Sequence, residues 1–375
     1  MSCPQNAWLC ILKYFSYTSF MLNKKYLILI ALAITTAFFP TVGWTETDLK
    51  ITGWIPYWKV AEGTKDARNN LDKLDVLYPF SFTVKKDGSL NDLGDLENKN
   101  WAKLFREAKK ARVEIIPTVM WSNANMMQQI LSDPVARKNH IKKIVEMVED
   151  GNYAGVDIDY EGKMASTKDF FSLFIEELKE ELGDKTLVCT IEARTPPDSL
   201  YRIIPNPLVY ANDYARLGQA CDVFQIMTYD QQRADIKLND AKRGSPYAPT
   251  ADADWVEKVI KLALEDIPNH KIMLGVPTYG AEYEVTVSPN WYQGYKKLWA
   301  LNPEYGIKTA KKYKTRASTN SAGELAFSYL PKESNLKLAK SLTIPKNTPK
   351  GLEIAARVLA HANKTGETVK FNYVS

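Results

Sequence analysis

The chain has 375 residues, of which 45% are hydrophobic and 25% are charged, a balance that excludes a disordered, collagen-like or coiled-coil protein. Its formal net charge is +5, and the first 44 residues hold three lysines and no acid, which leaves about +2 for the rest, too little to indicate a nucleic-acid partner. Four cysteines and three scattered histidines indicate neither a disulfide scaffold nor a zinc site nor a Ser-His-Asp triad, so we expect no metal and no cofactor.

Residues 1–44 have the pattern of a signal peptide or an N-terminal anchor. Lys24 and Lys25 precede an uncharged run over residues 26–42, as in a secretory signal. The run is about as long as a short membrane helix, so an uncleaved anchor is the alternative. We therefore expect a secreted or extracytoplasmic protein that begins near Thr45, or one tethered by that helix.

From residue 51, short apolar runs alternate with charged amphipathic stretches. Strands are predicted over 51–57, 75–82, 113–120, 153–159, 186–193, 222–228 and 271–278, and helices over 101–111, 134–150, 168–182 and 254–266. Strands that are apolar on both faces and alternate with helices indicate a parallel sheet covered by helices. The repeat predicts an α/β fold, a (β/α)8 TIM barrel over residues 45–280. The first strand is not followed by a glycine-rich motif, which argues against a dinucleotide-binding fold.

The composition changes after residue 280, where Lys, Tyr, Asn and Ser become frequent. Strands are predicted over 281–287, 324–329 and 368–374, and helices over 301–312 and 351–362. We interpret residues 281–375 as a small α+β insertion after strand seven. An eighth barrel strand is not visible, so we expect either that residues 368–374 close the barrel or that the sequence lacks its C-terminal end.

Three acids follow the fourth predicted strand, where residues 154–161 read A-G-V-D-I-D-Y-E. Because Asp157, Asp159 and Glu161 are two residues apart, they lie on one face of a strand. Inward-facing carboxylates are costly unless they are paired, protonated or used, and we expect the outermost to hold a proton near neutral pH. A lone acid here would be a cap or a surface ion pair, and Ca²⁺ or Mg²⁺ binding fits a rigid strand poorly. The triplet therefore predicts an active site for acid–base chemistry at the carboxyl end of a barrel strand.

With these motifs the sequence resembles the family-18 glycoside hydrolases, the chitinase family. Their signature D-G-x-D-x-D-x-E is matched at 154–161, except that Ala154 replaces the leading Asp. Residues 225–230 (QIMTYD) look like the family's M-x-Y-D, and residues 275–280 (GVPTYG) are similar to its G-x-P-x-Y-G. The resemblance covers about residues 51–375. It implies a glycosidase that cleaves β-1,4-linked N-acetylglucosamine in chitin or peptidoglycan.

The resemblance also implies roles in a substrate-assisted, retaining mechanism. Glu161 would act as general acid and then as general base, while Asp159 would orient the substrate's acetamido group. Asp157 would be hydrogen-bonded to Asp159, and Tyr229 would donate its hydroxyl to the acetamido carbonyl. Met227 and Asp230 of the same motif as Tyr229 would bind substrate.

Aromatic side chains at predicted strand ends are candidates for stacking on sugar rings. The candidates are Tyr57, Trp58, Phe80, Phe82, Trp121, Tyr229 and Tyr279. Core packing is the alternative for each, and Trp58 and Trp121 are favoured because each follows a strand and precedes a polar loop.

Two further pairs involve strand five. Glu192 and Arg194 would either line the cleft, where Arg194 would bind substrate, or form an ion pair on the surface. Cys189 and Cys221 are either small buried hydrophobes or a bridge between strands five and six.

Some features depart from typical chitinases. Residues 121–124 (WSNA) stand where chitinases carry Ser-x-Gly-Gly, and this departure, with the loop at 85–90, resembles the spore-cortex lytic subgroup. The family's eighth strand, with its Trp, is not found. We expect a polysaccharide as partner and no obligate protein partner. The alternative is a non-catalytic, lectin-like glycan-binding member of the same fold, against which the retained Glu161 argues.

Overall fold

The computed structural model describes residues 49–375, and the predicted signal or anchor over 1–44 lies outside them. A nine-stranded sheet runs in the order β1-β2-β5-β6-β7-β8-β9, with all of these neighbours parallel, and β3 and β4 also pair with β2. Its strands are β1 (Thr52–Pro56), β2 (Val76–Val84), β3 (Leu90–Asp92), β4 (Glu114–Ile115), β5 (Thr118–Trp121), β6 (Gly155–Tyr160), β7 (Thr186–Glu192), β8 (Val223–Met227) and β9 (Ile272–Leu274).

Helices connect these parallel strands. They are α1 (Val60–Asn69), α2 (Lys99–Ala111), α3 (Ala124–Ser132), α4 (Pro134–Asp150), α5 (Lys168–Leu182), α6 (Pro197–Leu200), α7 (Tyr214–Ala220), α8 (Ile236–Ala241) and α9 (Ala253–Ala263). The bounds of α4 and α5 are those that the sequence predicts. Asp133 caps α4 by accepting hydrogen bonds from the backbone of Val135 and Ala136, and Pro134 occupies the first turn.

The third predicted strand is broken into β4 and β5 at Pro117. A proline has no N–H to donate to a ladder, although the Pro117 carbonyl still accepts a hydrogen bond from the Asp157 backbone at 2.9 Å. Between residues 49 and 375, β1 and β9 each pair along one edge only. A side-chain contact of 3.4 Å joins Thr52 Oγ1 of β1 to Met273 Sδ of β9.

Residues 280–375 form a second sheet in the order β11-β10-β14-β13-β12, with antiparallel neighbours. It comprises β10 (Gly280–Ser288), β11 (Trp291–Leu301), β12 (Ser318–Thr319), β13 (Leu325–Tyr329) and β14 (Val369–Val374), with helices α10 (Pro303–Lys312) and α11 (Glu353–Thr365). Because β14 lies between β10 and β13, the expectation that residues 368–374 close the barrel is wrong. The long strand β11 was not predicted.

The core lies between the parallel sheet and its helices. Outward side chains of β6 and β7 pack with fully buried aromatic and aliphatic side chains of α2 and α5, which include Trp101, Phe171 and Phe174. Burial of each such aromatic side chain contributes about 1.5–3 kcal/mol. Cys189 of β7 is disulfide-bonded to Cys221, which precedes β8, so the bridge between these strands is formed. No helix within the described residues is long and apolar enough to cross a membrane.

Gly155 begins β6 where the backbone of β7 comes close. A Cβ atom there would lie 1.9 Å from the Thr186 carbonyl oxygen, a backbone atom that cannot rotate away. We expect Gly155→Ala to lower the free energy of unfolding by about 1–3 kcal/mol, measured by urea denaturation. Gly53→Ala on β1 is the control, because its Cβ would meet nothing within 4 Å. Equal stability of the two variants would contradict this account of β6.

Candidate active site

The acids of β6 face the inside of the sheet, as the alternation predicts. Asp157 contacts side chains of β1, β5 and β7, and Asp159 lines a cleft at the carboxyl ends of the strands. The alternating side chains of Val156, Ile158 and Tyr160 are fully buried on the other side, against the helices. A single strand therefore presents its acids to one side and apolar packing to the other.

Asp157 is buried and held by three donors. Its Oδ2 accepts from Trp54 Nε1 at 3.2 Å and Thr118 Oγ1 at 2.8 Å, and its Oδ1 accepts from Thr190 Oγ1 at 2.6 Å. Gln225 Nε2 donates to the same Thr190 hydroxyl at 2.9 Å. Burial raises the pKa of Asp157 to about 6, and the three hydrogen bonds oppose that rise because they favour the carboxylate.

Asp159 lies between the other two acids and is 4% exposed. Within the described part of the chain its Oδ1 has no hydrogen-bond partner, and the expected Asp157–Asp159 hydrogen bond is not formed; Asp157 accepts instead from Trp54, Thr118 and Thr190. Burial, then the charges of Asp157 and Glu161, raise the pKa of Asp159 to about 9. The middle acid, rather than the outermost, is therefore the one most strongly biased to hold a proton.

Glu161 lies at the mouth of the cleft, directly after β6. Its backbone N–H donates to the Trp121 carbonyl at 2.8 Å, which continues the pairing with β5, while its side chain is exposed. Partial burial and the charge of Glu192 raise the pKa of Glu161, and Lys163 opposes the rise. A carboxyl group that is both accessible and biased toward its protonated form is suited to general acid catalysis.

Lys163 and Glu192 hold the loop that follows Glu161. The buried Lys163 ammonium donates to the Tyr160 carbonyl and lies 3.5 Å from Glu192 Oε2. Glu192 also accepts from the Gly162 backbone at 2.8 Å and from Asn212 Nδ2 at 3.0 Å. Burial would raise the pKa of Glu192, but Lys163 and these hydrogen bonds outweigh it and hold that pKa below its usual range. Sequence reasoning left Glu192 open between two interpretations and missed Lys163, whose position two residues after Glu161 was the available signal.

The cleft above the acids has a volume of about 540 Å³ and is rich in aromatic side chains. Its lining includes Trp54, Trp58, Phe80, Asp159, Glu161, Glu192, Met227, Tyr229, Asp230 and Tyr279. Trp58 is 62% exposed, which leaves much of its surface available to a ligand. Within residues 49–375 no group of three His, Cys, Asp or Glu side chains is arranged to hold a metal ion.

Tyr229 and Tyr279 approach each other edge to face, with ring centroids 6.2 Å apart. Gly275 makes room for Tyr229, since a Cβ at position 275 would lie 2.6 Å from the tyrosine ring and 2.9 Å from the Ile226 carbonyl oxygen. Asp230, in a left-handed backbone conformation, lies 3.6 Å from Lys297 Nζ of β11. Burial and nearby carboxylates raise the pKa of Tyr229, so its hydroxyl stays protonated and can donate.

Of the residues predicted for substrate binding, four lie away from the cleft lining. Trp121 is 4% exposed and packs against His140 and Tyr160, because Thr118 and Met120 point inward on β5 and Trp121 therefore points outward. Arg194 is stacked between the rings of Tyr210 and Tyr214, 3.8 Å from each centroid, and does not line the cleft. Tyr57 lies edge-on to Trp58, outside the lining, and Phe82 is also outside it.

Comparison with known proteins shows the family of the chain. The sequence profile of glycosyl hydrolases family 18 matches residues 50–357. The chain belongs to this family. The resemblance noted in the sequence is thereby confirmed, and the chain is a glycoside hydrolase by family.

Individual relatives of this family-18 chain are distant. The uncharacterized glycosylase YvbX of Bacillus subtilis is 22% identical over 326 residues, which cover 83% of this chain and 85% of YvbX. The cortical fragment-lytic enzyme of Bacillus cereus is 24% identical over 243 residues, which cover 64% of this chain and 52% of that enzyme. The match to the putative sporulation-specific glycosylase YdhD of Bacillus subtilis spans 49% of that protein. The chain therefore covers about half the length of YdhD and of the cortical fragment-lytic enzyme.

Solved structures show the fold. The crystal structure of the Bacillus cereus spore cortex-lytic enzyme SleL has a TM-score of 0.58 at 22% identity, covering 76% of this chain and 62% of SleL. A chitinase from Chromobacterium violaceum has a TM-score of 0.59 at 19% identity, covering 76% and 83%. The family-18 chain therefore has the TIM-barrel-like α/β fold.

Behind the acids, His140 of α4 holds Tyr160 in place. Its Nδ1–H donates to the Gly88 carbonyl at 2.6 Å, which leaves Nε2 to accept from the Tyr160 hydroxyl at 2.5 Å. This arrangement needs a neutral imidazole, and burial lowers the pKa of His140 to about 4.

The His140 pKa predicts a pH-dependent stability. Because the folded-state pKa lies below the unfolded value of about 6.5, the unfolded chain binds more protons between pH 6.5 and 4. The contribution of His140 is therefore fully present above pH 6.5 and falls by about 3 kcal/mol as the pH drops through that window.

Urea denaturation at several pH values tests this expectation. The stability difference between wild type and His140→Gln should shrink as the pH falls from 6.5 to 4, and His270→Gln, at an exposed histidine, is the control. A His140→Gln difference that does not vary with pH would contradict the assignment.

Proposed function

We propose that the protein hydrolyses β-1,4-linked N-acetylglucosamine glycans by a substrate-assisted, retaining mechanism. The observation that carries the proposal is the position of Glu161, which has a raised pKa and stands at the mouth of an aromatic cleft next to the buried Asp159. Membership of family 18 supplies the reaction class. The acids and the cleft support the finer assignment of roles.

In the first step, Glu161 gives its proton to the glycosidic oxygen, and the bond between that oxygen and the anomeric carbon breaks. The carbonyl oxygen of the substrate's own acetamido group attacks the anomeric carbon and forms an oxazolinium ion. Glu161, now a carboxylate, then takes a proton from water, which adds to the anomeric carbon and reopens the ring. Two displacements at one carbon leave its configuration unchanged.

Asp159 and Tyr229 would hold the acetamido group for this attack. The Asp159 Oδ1 atom, which has no partner among the described residues, can accept the acetamido N–H, and the Tyr229 hydroxyl can donate to the acetamido oxygen. As the oxazolinium ion gains positive charge, it lowers the pKa of Asp159, because an opposite charge favours the carboxylate. Asp157 supports Asp159 through its charge rather than through a hydrogen bond.

Aromatic faces would hold the sugar rings in the cleft. Trp58 and Tyr279 are the best placed of the predicted candidates, and Met227 and Asp230 also line the cleft. Of the two polymers, the names of the cortical fragment-lytic enzyme and SleL favour peptidoglycan for this chain, and the chitinase neighbour keeps chitin as the alternative.

We also propose that the protein acts outside the cytoplasm. The Cys189–Cys221 disulfide supports this, because such bonds persist mainly in oxidising compartments. In this proposal residues 1–44 direct export or anchor the chain, residues 45–280 carry catalysis, and residues 281–375 form the α+β part attached after the seventh barrel strand.

Glu161→Gln tests the assignment of the acid. We expect the variant to lose a hundredfold or more of kcat on chitin oligosaccharides or peptidoglycan strands, about the size of a general-acid contribution, while it still binds sugar. Glu181→Gln, at an exposed glutamate of α5, is the matched control and should keep wild-type activity. Mass spectrometry of the products names the polymer, and NMR of the first product formed gives its anomeric configuration.

Full activity of Glu161→Gln, or an inverted first product, would overturn the mechanism. Wild-type protein that is folded and binds N-acetylglucosamine oligosaccharides without cleaving either polymer would instead support the non-catalytic glycan-binding alternative.

A further inference from the structure

A second cavity, of about 390 Å³, lies beside the cleft and contains three arginines. We propose that this cavity, named here the arginine pocket, binds a sugar that carries a carboxylate. Its defining residues are Arg202, Arg233, Arg243, Asp240, Trp291 and Tyr295. The inference deepens the proposed function and rests on it, because the acidic sugar would belong to the same glycan that occupies the cleft.

The arginine pocket has more positive charge than its own acid can balance. Asp240 lies 3.2 Å from Arg202 Nη1 and 4.0 Å from Arg243 Nη2, so one carboxylate serves two guanidinium groups. Arg233 forms no ion pair with any residue of 49–375 and lies over the Tyr295 ring at 5.0 Å. All three arginines are exposed, and a net positive cavity of this kind favours an anionic ligand.

Arginine chemistry narrows the ligand to an oxyanion with two oxygens in one plane. The guanidinium group is a planar fork that pairs with a carboxylate through two parallel charge-assisted hydrogen bonds, which are stronger than the single bonds it makes to the hydroxyls of a neutral sugar. Arg233, held against an aromatic face, is partly oriented before any ligand arrives.

The arginine pocket also offers a surface for a sugar ring. Trp291, the first residue of β11, is 50% exposed at its rim. An exposed aromatic face beside guanidinium groups suits a ring that is apolar on one side and bears an acid on the other. A free inorganic anion has no ring to stack on Trp291 and would contact only the arginines.

Two segments border both the arginine pocket and the cleft. The segment 228–234 contributes Tyr229 and Asp230 to the cleft and Arg233 to the pocket. Strand β11 contributes Tyr295 to the pocket, and Lys297, two residues further along, lies 3.6 Å from Asp230 of the cleft. Residues 295 and 297 are about 7 Å apart along β11, so the two places are bordered by neighbouring residues, and we take one glycan to occupy both.

The test measures binding by calorimetry with ligands too small to be cleaved, so it does not depend on turnover. Three sugars serve as probes. N-acetylmuramic acid carries its carboxylate on a lactyl group, glucuronic acid carries a carboxylate on the sugar ring, and N-acetylglucosamine is neutral. We expect at least one acid to bind at low salt, at least about tenfold more tightly than N-acetylglucosamine, and more weakly as salt rises. The acid that binds identifies the source of the carboxylate.

Variants locate the binding. Arg233→Gln/Arg243→Gln should weaken binding of the acidic sugar by at least about tenfold, because charge-assisted hydrogen bonds are lost, and Trp291→Ala should weaken it as well. Arg106→Gln, at an exposed arginine of α2, is the matched control and should bind like wild type.

Each remaining outcome overturns the inference: neither acid binds better than N-acetylglucosamine, or the double variant binds the acid as wild type does. If the wild type hydrolyses neither chitin nor peptidoglycan, that result would count against the proposed function alone, because the binding measurement does not depend on hydrolysis.

Discussion

The arrangement of the site depends on one buried carboxylate, that of Asp157. Its three donors come from three different strands, Trp54 of β1, Thr118 of β5 and Thr190 of β7, so the pocket that holds it forms only when the sheet has curved around β6. An ionised carboxylate without such donors would be too costly to bury. Even with them its pKa is raised to about 6, which shows that burial outweighs the three hydrogen bonds.

The pKa values of the other two acids are raised as well, mainly by burial. Asp159 has fewer donors than Asp157 and lies between two carboxyl groups, so it is the acid most strongly biased to hold a proton. Further out, partial burial and the charges of Glu192 and Asp230 raise the pKa of Glu161, while Lys163 opposes the rise, and this side chain remains accessible to a ligand. The Lys163–Glu192 pair fixes the loop after Glu161. The site therefore favours a retained proton on Asp159 in its interior and places Glu161, a carboxyl group with a raised pKa, at its mouth.

Much of this could be predicted from the sequence, because strand alternation determines which side chains share a face. It correctly placed Asp157 and Asp159 inward, and the helical periodicity of α4 and α5 was clear enough to predict both ends of each helix. The same alternation places Trp121 outward, but the expectation for Trp121 considered only its position at a strand end. Contacts between distant segments were not predictable. Arg194 is stacked between Tyr210 of a later loop and Tyr214 of α7. Strand β11 forms because it pairs with β10, although its lysines and glycine give weak strand alternation.

The central claim is that the three acids are crowded enough to retain a proton at neutral pH. The most direct measurement is a pH titration of the side-chain carboxyl carbons by ¹³C NMR, with Asp157→Asn, Asp159→Asn and Glu161→Gln variants to assign the signals. The account predicts that one carboxyl titrates well above pH 7 and disappears in Asp159→Asn, that a second titrates near pH 6, and that removing either neighbouring charge lowers the highest pKa. If all three carboxyls titrate below about pH 5, as free acids do, the account is wrong.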